Sequence, residues 1–440
     1  MRSARSREIP RRGGVRWLER PLTDRECALG WLLATVLFVA ATRVAHGISA
    51  EDDWESLGPA VTLARGNLSC MYPQVQSTIS LIAPVFPLFA AAVVALARLG
   101  ASTVFPTGAA LGNHCDQAID AWSQWFQRSR VTPQITLTAY AGWAVLMLGA
   151  LTLLRTTSRG RTRAELVALG LLAVAPPVFM CVTDYFHPED LFAMGLALAA
   201  LAAVRNEKWL LAGVLFALAV LSQQFALLVL VPVMVTTLDR RNAPRLVLGG
   251  VLCTLVVLGP IAVATSGRVL TALSGAGATY WVGNVWIYGL HLSGFGLFAL
   301  SRATPLALAA GLAVILRRRL GPLTHSGVLL PLVTVSLALR LVFEVNVFSY
   351  YYMALAVALV LGDVVGGRVR PLLILWLVVF LLFYNPFPYP HQLVIVWLPP
   401  WYAQAALVGS GLLLALRTLA REARVAVATS RAPVESVPAP

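Results

Sequence analysis

Three consecutive acids, Glu51-Asp52-Asp53, follow the first membrane-length apolar segment of this 440-residue chain. Carboxylates at a bilayer boundary are costly unless solvated, paired or used, so such a cluster points to function. Repulsion within the triplet raises one member's pKa and suits it to general-base work, while another serves as a helix N-cap. A second group is Asp184-Tyr185-Phe186-His187-Pro188-Glu189-Asp190, and a third is Gln223-Gln224. Further along come Arg268, Tyr280, Trp281 and His291, then Arg340, Glu344 and Asn346. An arginine here suits a phosphate; Arg340 and Glu344, four apart, equally suit an ion pair on one helix. His187, Glu189 and Asp190 have donor types that fit a divalent metal ion. The favoured reading of His-Pro-Glu-Asp is a helix start, with proline at the first position and acids in the first turn. No cofactor is assigned on these grounds.

The elements that must carry these groups are membrane helices. Hydrophobic residues make up 58% of the chain and charged ones 12%, about half the charged share of a soluble protein. Net charge is +14, almost all from arginine, with Lys208 the one lysine. The basic residues stand in short connections between apolar runs, which is the positive-inside pattern rather than a nucleic-acid surface. No nucleic-acid partner is expected; membrane lipids are.

Arginine clusters thread the chain. Residues 1–25 form a basic cytoplasmic segment, read as disordered, and the span at about 27–46 carries Glu51-Asp52-Asp53 outside. The next inner marker is Arg155, Arg159, Arg161 and Arg163. A single extracytoplasmic loop over 47–133 satisfies it, with 79–97, broken by Pro84 and Pro87, lying on or dipping into the outer surface; the alternative is that 79–97 crosses fully. Spans then fall near 134–154, 164–182, 191–204, 209–224, 225–238, 246–265, 294–316, 322–339, 349–362, 371–384 and 401–416. The fold expected is an all-α polytopic bundle of about 12 transmembrane helices, its membrane domain covering 26–416. Both termini are inside, and 417–440 is read as a disordered cytoplasmic tail. Cys70 and Cys115 share the first loop and are a plausible disulfide in an oxidising compartment. Walker, zinc-protease and nucleophile-elbow motifs are absent from the sequence.

Acid, amide and aromatic residues converge at outer span ends, as in a cavity open to that side. A cytoplasmic start, one span, an acid followed by an aromatic, and a long outer loop resembles the GT-C superfamily of membrane glycosyltransferases. Asp53-Trp54-x5-Ala60-x5-Gly66, with Tyr72-Pro73 downstream, is similar to the first-loop motif of glycosyltransferase family 87, the actinobacterial polyprenol-phosphate-mannose-dependent α-mannosyltransferases. Phe186-His187-Pro188-Glu189-Asp190-Leu191, Leu221-Ser222-Gln223-Gln224 and Phe343-Glu344-Val345-Asn346 extend the likeness. The chain departs from the family pattern at Leu57, where tyrosine is usual. It departs again at His187-Pro188-Glu189-Asp190 in place of Gly-Gln, and in lacking a lysine near Gln223.

The resemblance implies a multi-pass protein of the bacterial plasma membrane with its active site outside. The donor would be a polyprenyl-phosphate sugar and the acceptor a glycolipid or cell-envelope glycan. Asp53, with Asp52 second, would take the acceptor's proton in an inverting displacement. Arg340, His291 and Arg268 would meet the leaving phosphate. Asp184, His187, Glu189, Asp190, Gln223, Gln224, Glu344 and Asn346 would line the substrate site. The rival expectations are a polytopic transporter or flippase, and an inactive glycosyltransferase-like scaffold.

Overall fold

The computed structural model describes residues 18–45, 47–48, 53–64, 68–72, 83–97, 133–157, 162–274, 284, 287, 290, 292, 296–297, 299–384 and 400–431. The protein is an all-α membrane protein. Among the described residues the only extended pairing is one isolated bridge, Pro21 with Thr162. Helix α1 covers Asp24–Val44, α2 Asp53–Ala64, α3 Val85–Ala97, α4 Pro133–Thr157, α5 Arg163–Val174 and α6 Pro176–Thr183. Then come α7 Pro188–Arg205, α8 Trp209–Val220, α9 Leu227–Thr237, α10 Ala243–Ala264 and α11 Arg268–Ser274. The last five are α12 Thr304–Leu320, α13 Leu329–Phe343, α14 Met353–Val365, α15 Pro371–Tyr384 and α16 Pro400–Arg431.

Among the described residues five helices are long and apolar enough to cross a membrane: α1, α4, α10, Ala299–Leu320 and the Tyr402–Ala428 part of α16. Helices α5 and α6 make a sixth if taken as one span, bent by 43°. The bend has a local cause. Pro176 and Pro177 cannot donate to the preceding turn, and Ala175 before them is extended. Leu29, Leu33, Val247, Val251, Leu255 and Leu375 are exposed; on a membrane helix these are faces for lipid. Helices α7, α13 and α14 are buried nearly throughout and form the centre.

Helix α1 begins with a capping box: Thr23 Oγ accepts from Glu26 N (3.2 Å) and Glu26 accepts from Thr23 N (2.8 Å). Arg163 N donates to Arg20 O (3.0 Å) and Ala164 N to Leu18 O (3.1 Å), so the starts of α1 and α5 lie together. Residues 18–23, expected to be disordered, are thereby tied to the bundle. Gly142 on α4 meets Pro188 on α7, and Gly149 meets Gly195 further along, so α4 and α7 run parallel. A Cβ on Gly149 would overlap the Gly195 carbonyl; close backbone approach through small residues is how membrane helices pack.

The parallel pair brings the Arg155 and Arg205 ends to one face. Glu207 and His325 (3.2 Å) add the α12–α13 loop to that face, and Leu323 N donating to Thr236 O (3.0 Å) adds the end of α9. Arg370 reaches Thr418 Oγ (2.6 Å) on α16. The arginine-bearing connections therefore gather on one face, as the charge pattern predicts. A difference concerns the C-terminus: α16 runs 32 residues to Arg431, so 417–431 is helix and not a disordered tail. Ala- and Arg-rich sequence favours helix there, and Thr418 and Leu419 are buried against the bundle. Helix α3 packs on α2 and α4, with Val85 N donating to Leu221 O (3.0 Å).

Candidate functional site

Opposite the arginine-rich face, the start of α7 meets the end of α13. Helix α7 opens as the sequence predicts: His187 is its N-cap, Pro188 follows, and Glu189 and Asp190 occupy the first turn. Both acids are buried, at 0% and 2% exposure. The positive end of the helix dipole favours them there. Their depth follows from Gly142, where a Cβ would come 2.8 Å from the Pro188 carbonyl. His187 Nδ1 lies 2.7 Å from Glu189 Oε1, and its ring stacks on Tyr350 at 3.9 Å between centroids. Tyr185 stands edge-on to Tyr350 and Phe348.

Glu344, at 2% exposure, caps the end of α13. Two cations share it: Arg302 donates from 2.9 Å and Arg340 Nε from 3.2 Å. The Arg340 guanidinium is sandwiched between Tyr351 (4.6 Å) and Phe225 (5.1 Å), a cation–π arrangement. Asn284 Nδ2 donates to the carbonyls of Leu341 (2.9 Å), Val342 (3.2 Å) and Glu344 (2.8 Å), holding this helix end in place. Asp190 feels Arg340, His187, Glu189 and Glu344 electrostatically, so the two helix ends form one charged cluster.

Asp184, in the α6–α7 turn, accepts a hydrogen bond from Ser349 Oγ. Burial pushes its carboxyl above the ordinary aspartate range, and the Ser349 hydroxyl partly offsets this. The segment bearing Ser349 is anchored by Gln404 Nε2 (2.6 Å) and Tyr384 Oη (3.2 Å), both donating to Val347 O.

The structure thus brings together His187, Glu189, Asp190, Arg340 and Glu344, with Asp184 held nearby through Ser349. Other expected residues do different things. Gln224 Nε2 donates to Leu273 O (2.6 Å), tying its turn to α11. Gln223 and Asn346 are half-buried. Arg268 donates to Ser69 O (2.8 Å), which anchors the short helix Leu68–Cys70. Asp53 is the first residue of α2; its side chain, Asp52 and His291 lie outside the described residues. Cys70 is disulfide-bonded and Cys27, Cys181 and Cys253 are free, while Cys115 lies outside the described residues.

Arg302 and Asn284 are not singled out by local sequence spacing. Arg302 lies 42 residues from Glu344, so no local spacing links them; the one signal was an arginine in an apolar run away from the inner loops. Among the described residues, no group of three or more His, Cys, Asp or Glu side chains could hold a metal ion. No family model matches this chain, and no curated protein matches it.

Proposed function

We propose that the protein is a membrane glycosyltransferase moving a sugar, in the first instance mannose, from a polyprenyl-phosphate donor to a glycolipid or cell-envelope glycan. Transfer takes place on the extracytoplasmic face of a bacterial plasma membrane, in a bundle of about 12 spans with both termini inside. The observation that carries this reading is the convergence at one bundle end of buried carboxylates and two arginines. Carboxylates and His187 suit sugar hydroxyls, while Arg340 and Arg302 suit a departing phosphate. Phe348, half-buried beside Tyr185 and Tyr350, supplies an aromatic surface for a sugar. Asp53 acts as the base: it takes the proton of the acceptor hydroxyl as that oxygen attacks the anomeric carbon and the polyprenyl phosphate leaves.

The test incubates purified protein with radiolabelled polyprenyl-phosphate mannose and a panel of glycolipid acceptors. Wild type transfers label; Asp53→Asn, equally folded, loses about 10²–10⁴-fold. Donor left unconsumed across the panel overturns the enzyme reading, and equal turnover by Asp53→Asn removes Asp53 from its role. One observation favours a transporter instead. Among the described residues the site has four carboxylates, Asp184, Glu189, Asp190 and Glu344, against the guanidiniums of Arg302 and Arg340. An acidic excess of that kind suits a cation or proton moving with a polar substrate. Movement of substrate into proteoliposomes without sugar transfer would decide for it.

A further inference from the structure

On the opposite, arginine-rich face, three connections enclose a cleft of about 460 Å³. That volume is in the range of small-ligand sites. Its walls are the α7–α8 loop at Glu207 and Trp209, the α9–α10 loop from Thr237 to Arg245, and the α12–α13 loop from Pro322 to Ser326. The three walls are locked to one another. Glu207 takes a left-handed backbone (φ 57°) and pairs with His325 at 3.2 Å. Leu323 N donates to Thr236 O, and Trp209 is buried beneath.

The charges in the cleft are unequally engaged. Glu207 is held by His325. Asp239 accepts from the backbone N–H groups of Arg241 (2.8 Å) and Asn242 (2.9 Å), and these bonds, that of Asn242 first, hold its carboxyl below the ordinary range. Arg317 is turned to the Val235 carbonyl (2.6 Å). Arg241 and Arg245 line the cleft, are exposed, and make no ion pair among the described residues. Arg245 has no carboxylate partner among the described residues, and Arg241 feels the Asp239 carboxylate only at a distance, that group being taken up by backbone N–H donors; with the Ser326 hydroxyl the two guanidiniums form a donor set for a tetrahedral oxyanion.

We propose that this cleft binds a phosphate group, as a monoester or diester, through Arg241 and Arg245, with His325 at its rim. Two sources share that chemistry: a soluble phosphate ester and a phospholipid headgroup. Helix α10 rises from the cleft with Val247, Leu248 and Val251 exposed, a surface along which acyl chains of a diester can lie. The site is separate from the proposed sugar transfer and does not depend on it.

The test uses the full-length protein in neutral detergent with two probes. Equilibrium dialysis measures labelled inorganic pyrophosphate, and native mass spectrometry measures retained phosphatidylglycerol against phosphatidylcholine. Wild type is compared with R241Q/R245Q and with R318Q/R319Q, which removes the same charge outside the cleft. The expected result is a loss of tenfold or more in R241Q/R245Q, with R318Q/R319Q within twofold of wild type. Pyrophosphate binding alone identifies a soluble ester, and phosphatidylglycerol retention alone a lipid headgroup. Wild type retaining neither probe, or the two double variants losing binding alike, overturns the proposal.

Discussion

Replacing Glu344 by glutamine keeps the side-chain volume and removes the one carboxylate shared by Arg302 and Arg340. Glu344 has 3% of its side chain exposed and Arg340 11%, so Arg340 would be left as a buried charge without its hydrogen-bonded counter-ion, with Asp190 acting on it only at longer range. Breaking a buried pair in this way costs about 3–5 kcal/mol. Arg302 is 33% exposed, so solvent takes up much of its loss, and Arg302→Gln alone should cost only about 1 kcal/mol. Arg340→Gln loses the ion pair and its sandwich between Tyr351 and Phe225, each face worth about 0.5–2 kcal/mol. It should match or exceed Glu344→Gln. The assay is equilibrium unfolding in mixed micelles for Glu344→Gln, Arg302→Gln and the double variant. If the two groups interact as their 2.9 Å contact implies, the double variant is more stable than the sum of the singles predicts, with a coupling of about 1–2 kcal/mol. Additivity within about 0.5 kcal/mol would refute the shared-carboxylate argument, as would a Glu344→Gln protein as stable as wild type.

Two further outcomes follow from packing and titration. Leucine at Gly149 or Gly195 would drive a side chain into the facing backbone of the α4–α7 pair and should cost about 3 kcal/mol or more. Alanine at Gly170, which has nothing within 4 Å of its would-be Cβ, should be neutral; thermal unfolding of the three variants checks this. Asp184, with its folded pKa raised, binds its proton more tightly folded than unfolded. Its contribution is present below the ordinary value of 3.8 and is lost as pH rises through the higher folded value. Asp184→Asn should flatten that fall, which Tm measured against pH would show; an unchanged slope would assign it elsewhere.

Some of this protein was legible in its residues alone. Membrane residence followed from long apolar runs, because about 20 such residues span the hydrocarbon core. The common face of the arginine loops followed from their alternation, and Leu18 to Arg20 beside Thr162 to Ala164 bear it out. The start of α7 was legible because proline at the first position and acids in the first turn act locally. The Arg340–Glu344 pair was legible because residues four apart share a helix face. The bend at Ala175 and the helical stretch 417–431 depart from the unbroken span and disordered tail expected from sequence, although the prolines and the Ala- and Arg-rich composition were present. An apolar count measures length, not bends, and packing at Thr418 extends the last helix.

Tertiary structure alone decided the rest. The third partner, Arg302, reaches Glu344 from another element, Asn284 secures the same helix end from a separate segment, and Ser349 reaches Asp184 across 165 positions of chain. Three loops likewise make the cleft at Arg241 and Arg245. Propensity and periodicity act over a few residues, so they determine each helix and its polarity. Which ends meet depends on how helix faces fit, as at Gly142, Gly149 and Gly195, and that fit belongs to the assembled bundle.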